Sequence, residues 1–513
     1  MLRVSVILVG TVLMLLPVLL NGGPFLYFDT ASYLSRPDKA IGLLIEALGG
    51  YRLSLFASIG AFDGAGFADL TPEARPDYLV GGRSVFYGVV VWVSAAAGRP
   101  EVMTVVQAAA TVTVLRLVWD LLPDQGTSRR TEAGFLMTIG LLAWATPAGF
   151  FAGLLMPDVF APLAILAVAL LVCAWTNVGR ATRLGLVLLL AFSLAAHTTH
   201  LLVAIGTIGI GTVLRLAVPA ARRCLSARGL ACCLGAAGAA IAAGLTADIA
   251  AKELTGADMI SRPHLTAHLV DHGPGALWVA RNCPGARRTE GEGEMMAVCA
   301  FRDRIPTDWI AFLFSESPER GAFEASDATP DLRRALSEED LAFALAVLRD
   351  DPVRTAGFLI EDFLKQLVSV RYADVPLAGK ALQDRIHVFP ASLAEDGGGR
   401  IAADPVLLSA LSDVSEVTAA AGALALLLGF IVLLRNPEAA GRSVPLLWVS
   451  GTVVLGVVLN AAVCGMLASP YDRFQSRVIF LIPAFAVVIW SALLRTSCFP
   501  PAIRLARSER VAE

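Results

Sequence analysis

Charge is scarce in this chain. Of 513 residues, 17% are Asp, Glu, Lys or Arg, and the formal net charge is −3. With no surplus of positive charge there is no electrostatic footprint for nucleic acid, and no such partner is expected. Ready-made catalytic signatures are missing too: the sequence has no Cys-x-x-Cys with zinc-ligand spacing, P-loop, Gly-x-Ser-x-Gly or His-Glu-x-x-His. Their absence argues against a zinc site of the usual spacing, an ATP-driven pump, an ordinary serine hydrolase and a zincin. Apolar residues are plentiful instead, at 56% of the chain and a mean hydropathy of +0.67. A water-soluble fold has too little interior for that much apolar surface, so much of it must face lipid.

Clear apolar runs fall near residues 2–20, 101–122, 132–154, 159–175, 183–198, 200–217, 229–250, 416–434, 443–468 and 475–494. A bilayer core about 30 Å thick needs about 20 helical residues to cross. Residues 183–217 admit either two short helices meeting at His197–His200 or one long one. The first run is read as a retained anchor, because no small-x-small cleavage site follows it.

Arginines set the orientation. Arg3, Arg129–Arg130, Arg180, Arg183, Arg215–Arg228, Arg435, Arg442 and the tail Arg495–Arg510 all belong in the cytoplasm by the positive-inside rule. Ten crossings then fit, with both termini cytoplasmic, in a plasma (inner) membrane. The 84–97 run is too short to cross and is expected to be re-entrant or interfacial. The expected layout is all-α and polytopic. A membrane module, 1–250, carries a long outer loop at 21–100. An extracytoplasmic, mainly helical domain follows at 251–415, then C-terminal membrane helices and a basic cytoplasmic tail at 416–513.

Within 251–415, Ser337-Glu338-Glu339-Asp340 reads as a helix start. Asp351-Pro352 reads as the end of one helix and the start of the next, and Gly397-Gly398-Gly399 as a flexible linker. Cys283 and Cys299 are the two cysteines of this polar region. A disulfide between them, expected in an oxidising compartment, would contribute about 3 kcal/mol in the chain-entropy model.

The topology puts two acidic residues on one surface. Asp29 follows the first apolar run, in Tyr27-Phe28-Asp29-Thr30, and Asp158 ends another in Met156-Pro157-Asp158. Each also reads as a helix-start carboxylate. As general base, such a group can take the proton of a hydroxyl attacking an activated sugar. A phosphate leaving group would need cations. Arg83, Arg473 and Arg477 lie on the same side and are candidate phosphate partners; each also reads as a snorkelling residue. His197 and His200, and separately His264, His268 and His272, have helical spacing but supply no closed metal-ligand set.

With an acidic residue after the first helix, a long outer loop containing a short helix, and a second acidic residue in the next outer loop, the chain resembles the C-type (GT-C) integral membrane glycosyltransferases. It also resembles bacterial polytopic membrane proteins of unassigned activity. The first resemblance implies transfer of a sugar from a polyprenyl-phosphate-linked donor to an extracytoplasmic acceptor, with Asp29 and Asp158 as the acidic pair. Many members pair their acidic residues in sequence, whereas Asp29 stands alone, so the motif leaves a divalent metal unsupported. The rival readings are a transporter or lipid flippase, which would place charges deep within helices, and a non-catalytic envelope-assembly protein.

Overall fold

The computed structural model of the protein describes residues 2–34, 37, 78–123, 129–283, 295–384 and 398–497. The middle of the 21–100 loop, Gly397 and the tail arginines beyond Arg495 lie outside the described residues. The described residues are mainly helical, with almost no strand. We number its principal helices α1 Leu2–Met14, α2 Leu16–Asn21, α3 Val85–Ala96, α4 Glu101–Trp119, α5 Arg129–Ala145, α6 Ala148–Gly153, α7 Phe160–Cys173, α8 Arg180–Ala196, α9 Thr198–Ala217 and α10 Ala227–Thr255. The polar region contributes α11 His264–Val270, α12 Pro274–Asn282, α13 Trp309–Phe314, α14 Pro330–Asp350 and α15 Pro352–Val368. Then come α16 Pro405–Arg435, α17 Val444–Leu467, α18 Asp472–Ile479 and α19 Leu481–Ser497. Two three-residue strands, β1 Tyr78–Val80 and β2 Asp258–Ile260, pair in parallel.

Among the described residues, six helical segments are long and apolar enough to cross a bilayer: α4, α9, α10, α16, α17 and the continuous stretch Asp472–Thr496. This fits a multi-pass membrane protein. Shorter apolar helices occupy Arg3–Met14, Val85–Ala95, Thr131–Ala145 and Pro157–Cys173. Several apolar runs are broken by local chemistry. Pro17 sits at the start of α2 and Pro147 just before α6, where a ring that lacks an N–H ends one helix and opens another. Residues 183–217 form two helices, because His197 is extended (φ −162°, ψ 135°) and its side chain caps α9 by accepting from the Thr199 N–H. α7 is buried on every side. An all-round apolar helix belongs in such a central position. α3, with 12 residues, is about 18 Å long, well short of the hydrocarbon core.

Residues of the 251–415 stretch contribute to two hydrophobic cores. A second hydrophobic core runs from Ile260 to Val347, and Tyr78, Val80 and Phe358 pack on it. Val370, Tyr372, Leu377, Ile401 and Ala402 instead join the main helical core. The helix expected to open at Ser337 begins earlier, with Thr329 capping it and Pro330 in its first turn. The acidic run serves neighbouring segments. Asp340 accepts from the backbone N–H groups of Leu265 and Thr266 at the start of α11, and Glu339 from that of Ala297. Asp351 ends α14 and caps α15. Cys283 and Cys299 are disulfide-bonded.

Gly398 and Gly399 do not act as a flexible linker. Both have positive φ (89° and 95°). A Cβ on Gly399 would lie 2.2 Å from Asn21 Nδ2. Asn21 donates to the Gly398 carbonyl and accepts from the N–H groups of Ile401 and Ala402. The glycines therefore let the chain pass close to the end of α2, a conformation that L side chains avoid.

Candidate functional site

Two neighbouring loops bring the acidic residues together. The Phe25 N–H donates to the Gly153 carbonyl at 2.9 Å, and the Leu155 N–H to the Phe25 carbonyl at 3.0 Å. The Thr30 hydroxyl adds a bond to the Leu155 carbonyl. This short parallel bridge ties the end of the α2 loop to the end of the α6 loop. Asp29 then opens a helical turn, its carbonyl accepting from the Tyr33 N–H. Asp158 lies in a short 3-10 turn, Pro157–Val159, ahead of α7.

A third segment brings Arg83. β1 pairs with β2, the Gly81 N–H extends that pairing to the Ile260 carbonyl, and Ser84 both caps α3 and donates to the Ala195 carbonyl. Arg83 is fixed between these anchors. Arg473 and Arg477 stand four residues apart on α18, hence on one face.

The five charged residues form an alternating chain. Arg83 pairs with Asp29, and Asp29 also lies 3.6 Å from Arg473. Arg473 meets Asp158 side-on, Nε to Oδ1 at 3.0 Å and Nη2 to Oδ2 at 2.8 Å. This two-bond fork is the strongest arginine–carboxylate geometry. Arg477 reaches the same carboxylate at 3.4 Å. Its other hydrogen bonds among the described residues go to neutral groups, the Thr199 hydroxyl, the Asn460 side-chain oxygen and the Cys464 sulfur. Arg473 also stacks over Tyr27, 4.2 Å from the ring centroid.

Burial grades along this chain. Arg477 and Asp158 are fully enclosed and Arg473 nearly so, whereas the side chains of Asp29 and Arg83 are 22% and 17% exposed. The inner three residues are closed to a substrate. Asp29 and Arg83 form the accessible rim, with a buried Arg83 Nε that has no hydrogen-bond partner among the described residues. Three guanidiniums face two carboxylates, leaving one positive charge in excess. Burial pushes the nearby Tyr33 hydroxyl well above its ordinary pKa, so at neutral pH it is not a base.

All five site residues singled out in the sequence lie in this one cluster. Sequence reasoning missed Tyr27, Thr199 and Asn460. Asn460 carried a usable signal, being a polar side chain in the middle of an apolar run, where such groups seek partners inside the protein.

The histidines do other work. Among the described residues no group of three or more His, Cys, Asp or Glu is placed to hold a metal. His200 bonds to the Ser193 carbonyl, and His197 to Thr199. His268 is buried, 2.8 Å from the Ser469 hydroxyl and 3.7 Å from Asp362. That resembles a Ser–His–Asp arrangement, but Ser469 is buried too, so the trio clamps the polar domain to the α17–α18 turn. Burial, then the charge of Lys365, holds the His268 pKa down at about 4. Facing it, Asp362 is pushed up by its own burial. The contribution of neutral His268 is complete above the unfolded value of about 6.5 and is lost as pH falls through about 4. Acidification over that window should cost up to about 3 kcal/mol at His268, partly offset by Asp362, whose raised pKa favours the folded state as it protonates. Hydrogen exchange across α11 and α15 should therefore accelerate between pH 6.5 and 4, and a His268→Gln chain should show no such window.

Comparison with protein-family models, curated proteins and solved structures finds no match to this chain.

Proposed function

We propose that the chain is a GT-C-type membrane glycosyltransferase with ten crossings and both termini cytoplasmic. It would transfer a sugar from a polyprenyl-phosphate-linked donor to an extracytoplasmic hydroxyl acceptor. The observation that carries this reading is the rim itself: one carboxylate, Asp29, beside one arginine, Arg83, at the open end of a buried charge network that holds both in place.

In the reaction, the acceptor oxygen bonds to the anomeric carbon and the bond from that carbon to the donor phosphate oxygen breaks. The acceptor proton passes to Asp29 as general base, and polyprenyl phosphate departs. Attack opposite the leaving group inverts the carbon. Arg83 is the phosphate partner. By drawing Arg83 toward itself, the donor would leave Asp29 only its longer contact to Arg473 and so ready it for the proton. Arg473 and Asp158 position Asp29, and Arg477 anchors Asp158 from behind. Supporting a surface reaction over a through-path, the charges stand at helix ends. A non-catalytic assembly protein would keep the same network without turnover.

The donor test uses a polyprenyl phosphate with a photoreactive group beside the phosphate, in liposomes holding the protein. Unlabelled polyprenyl phosphate should compete with cross-linking. A charge-assisted contact contributes about 1.5–3 kcal/mol, so Arg83→Gln should weaken binding about 10- to 100-fold. Equal labelling of the variant, or labelling without competition, would remove the donor assignment.

A further inference from the structure

α15 is built inside out. A helix on a water-facing domain buries its apolar stripe and exposes its polar one. Here the buried positions include Thr355, Asp362 and Gln366, while Val353, Ile360, Leu364 and Val368 are 53–82% exposed. Residues spaced by three, four and seven share a helix face, and these four aliphatic side chains form one outward strip. α14 has an ordinary inner face, with Leu336, Phe343 and Val347 buried, although it also leaves Leu341, Leu345 and Leu348 exposed. α15 differs in that its fully buried positions are polar, while Phe358, Leu359, Phe363 and Leu367 are half-buried at their sides.

The polar inner face has partners. Gln366 donates to the Tyr471 carbonyl and accepts from the Tyr471 N–H. Asp362 lies beside His268 and bonds Lys365. Its backbone packs on α17 so closely that a Cβ at Gly465 would come within 2.6 Å of the Asp362 carbonyl. α15 thus lies against a helix that is itself long and apolar enough to cross a bilayer. Arg354, Glu361 and Lys365 mark one edge of the aliphatic strip, and Lys365 pairs with Glu361 at 2.9 Å.

We infer that α15 is a membrane-contacting helix whose strip faces lipid acyl chains and whose charged edge lies at headgroup level. Lipid is the occupant because α15 packs against a helix long and apolar enough to cross a bilayer, and its four exposed aliphatic side chains form one strip bordered by charged residues. Its 17 residues extend about 25 Å, and the helix is amphipathic, as interfacial helices are. The polar domain would then rest on the bilayer through this helix as well as through its covalent connections. The inference needs the membrane but does not depend on the glycosyltransferase reading.

The test is spin-label accessibility in the full chain reconstituted in liposomes. The unpaired cysteines are replaced, the disulfide is kept, and single cysteines are placed at Ile360, Leu364 and Arg354. At 360 and 364, collisions with oxygen should exceed those with a water-soluble nickel chelate, and at 354 the ratio should reverse. Nickel in excess at 360 and 364 would mean an aqueous face and overturn the proposal. Low collision with both probes there would mean a protein surface, such as a second copy, and overturn it equally.

Discussion

Asp29→Asn is expected to lower the turnover of sugar transfer by about 10²- to 10⁴-fold, the usual share of a general base, with little change in donor KM. Asparagine keeps the shape and an acceptor oxygen for Arg83 and Arg473, so the rim should stay assembled. What it loses is the capacity to take the acceptor proton. Arg473 retains its two bonds to Asp158, and Asp29 is partly exposed, so thermal unfolding should move little. Arg83→Gln should act in the opposite sense, raising donor KM more than it lowers turnover. Steady-state kinetics of both variants, beside their unfolding curves, separate a base from a structural carboxylate. Asp29→Asn transferring at the unsubstituted rate would end its assignment as the base.

Asp158 should behave as the keystone of the fold around the site. Its carboxylate neutralises two buried guanidiniums, Arg473 and Arg477. Removing one partner of a buried ion pair typically costs about 3–5 kcal/mol, because an uncompensated charge remains in a low-dielectric interior. Asp158→Ala leaves Arg477 with only the neutral Thr199, Asn460 and Cys464, which cannot balance its charge, and leaves Arg473 only the longer 3.6 Å contact to Asp29. A loss at the top of that range is a large part of the stability of most folds, so the variant should be recovered in low yield or unfold far below the unsubstituted protein in detergent. Pairing Asp158→Asn with Arg477→Met, which removes charge of both signs, should recover part of the loss. Normal unfolding of Asp158→Ala would show that the inner network contributes little.

Much of this site was legible in the sequence, for a physical reason. In an apolar chain each charge stands out, and topology confines the charges near helix ends to one side or the other. Asp29, Asp158, Arg83, Arg473 and Arg477 could therefore be grouped before any contact was known. Their division of labour was not legible. Whether an arginine meets a phosphate or a carboxylate depends on distances between segments hundreds of residues apart, such as Arg473 and Asp158. The same holds for the Phe25–Leu154 bridge and for the Asn21 contacts that turn an apparent linker into a close crossing. Local signals succeeded where chemistry is local, as at Asp351-Pro352. They failed at Ser337, where an acidic run that resembles a helix start caps neighbouring segments. α15 shows the remaining limit. Asp351-Pro352 marked where it starts, but which face turns inward depends on the surrounding medium.

The most direct test of the account is the side of the membrane on which the rim opens. Phe28 is adjacent to Asp29 and exposed, so Phe28→Cys reports the position without touching the ion pairs. In a background keeping only the Cys283–Cys299 disulfide, a membrane-impermeant thiol reagent is applied to intact cells and to permeabilised ones. The account predicts full labelling from outside. Labelling only after permeabilisation would put Asp29 and Arg83 on the cytoplasmic face and contradict transfer to an extracytoplasmic acceptor.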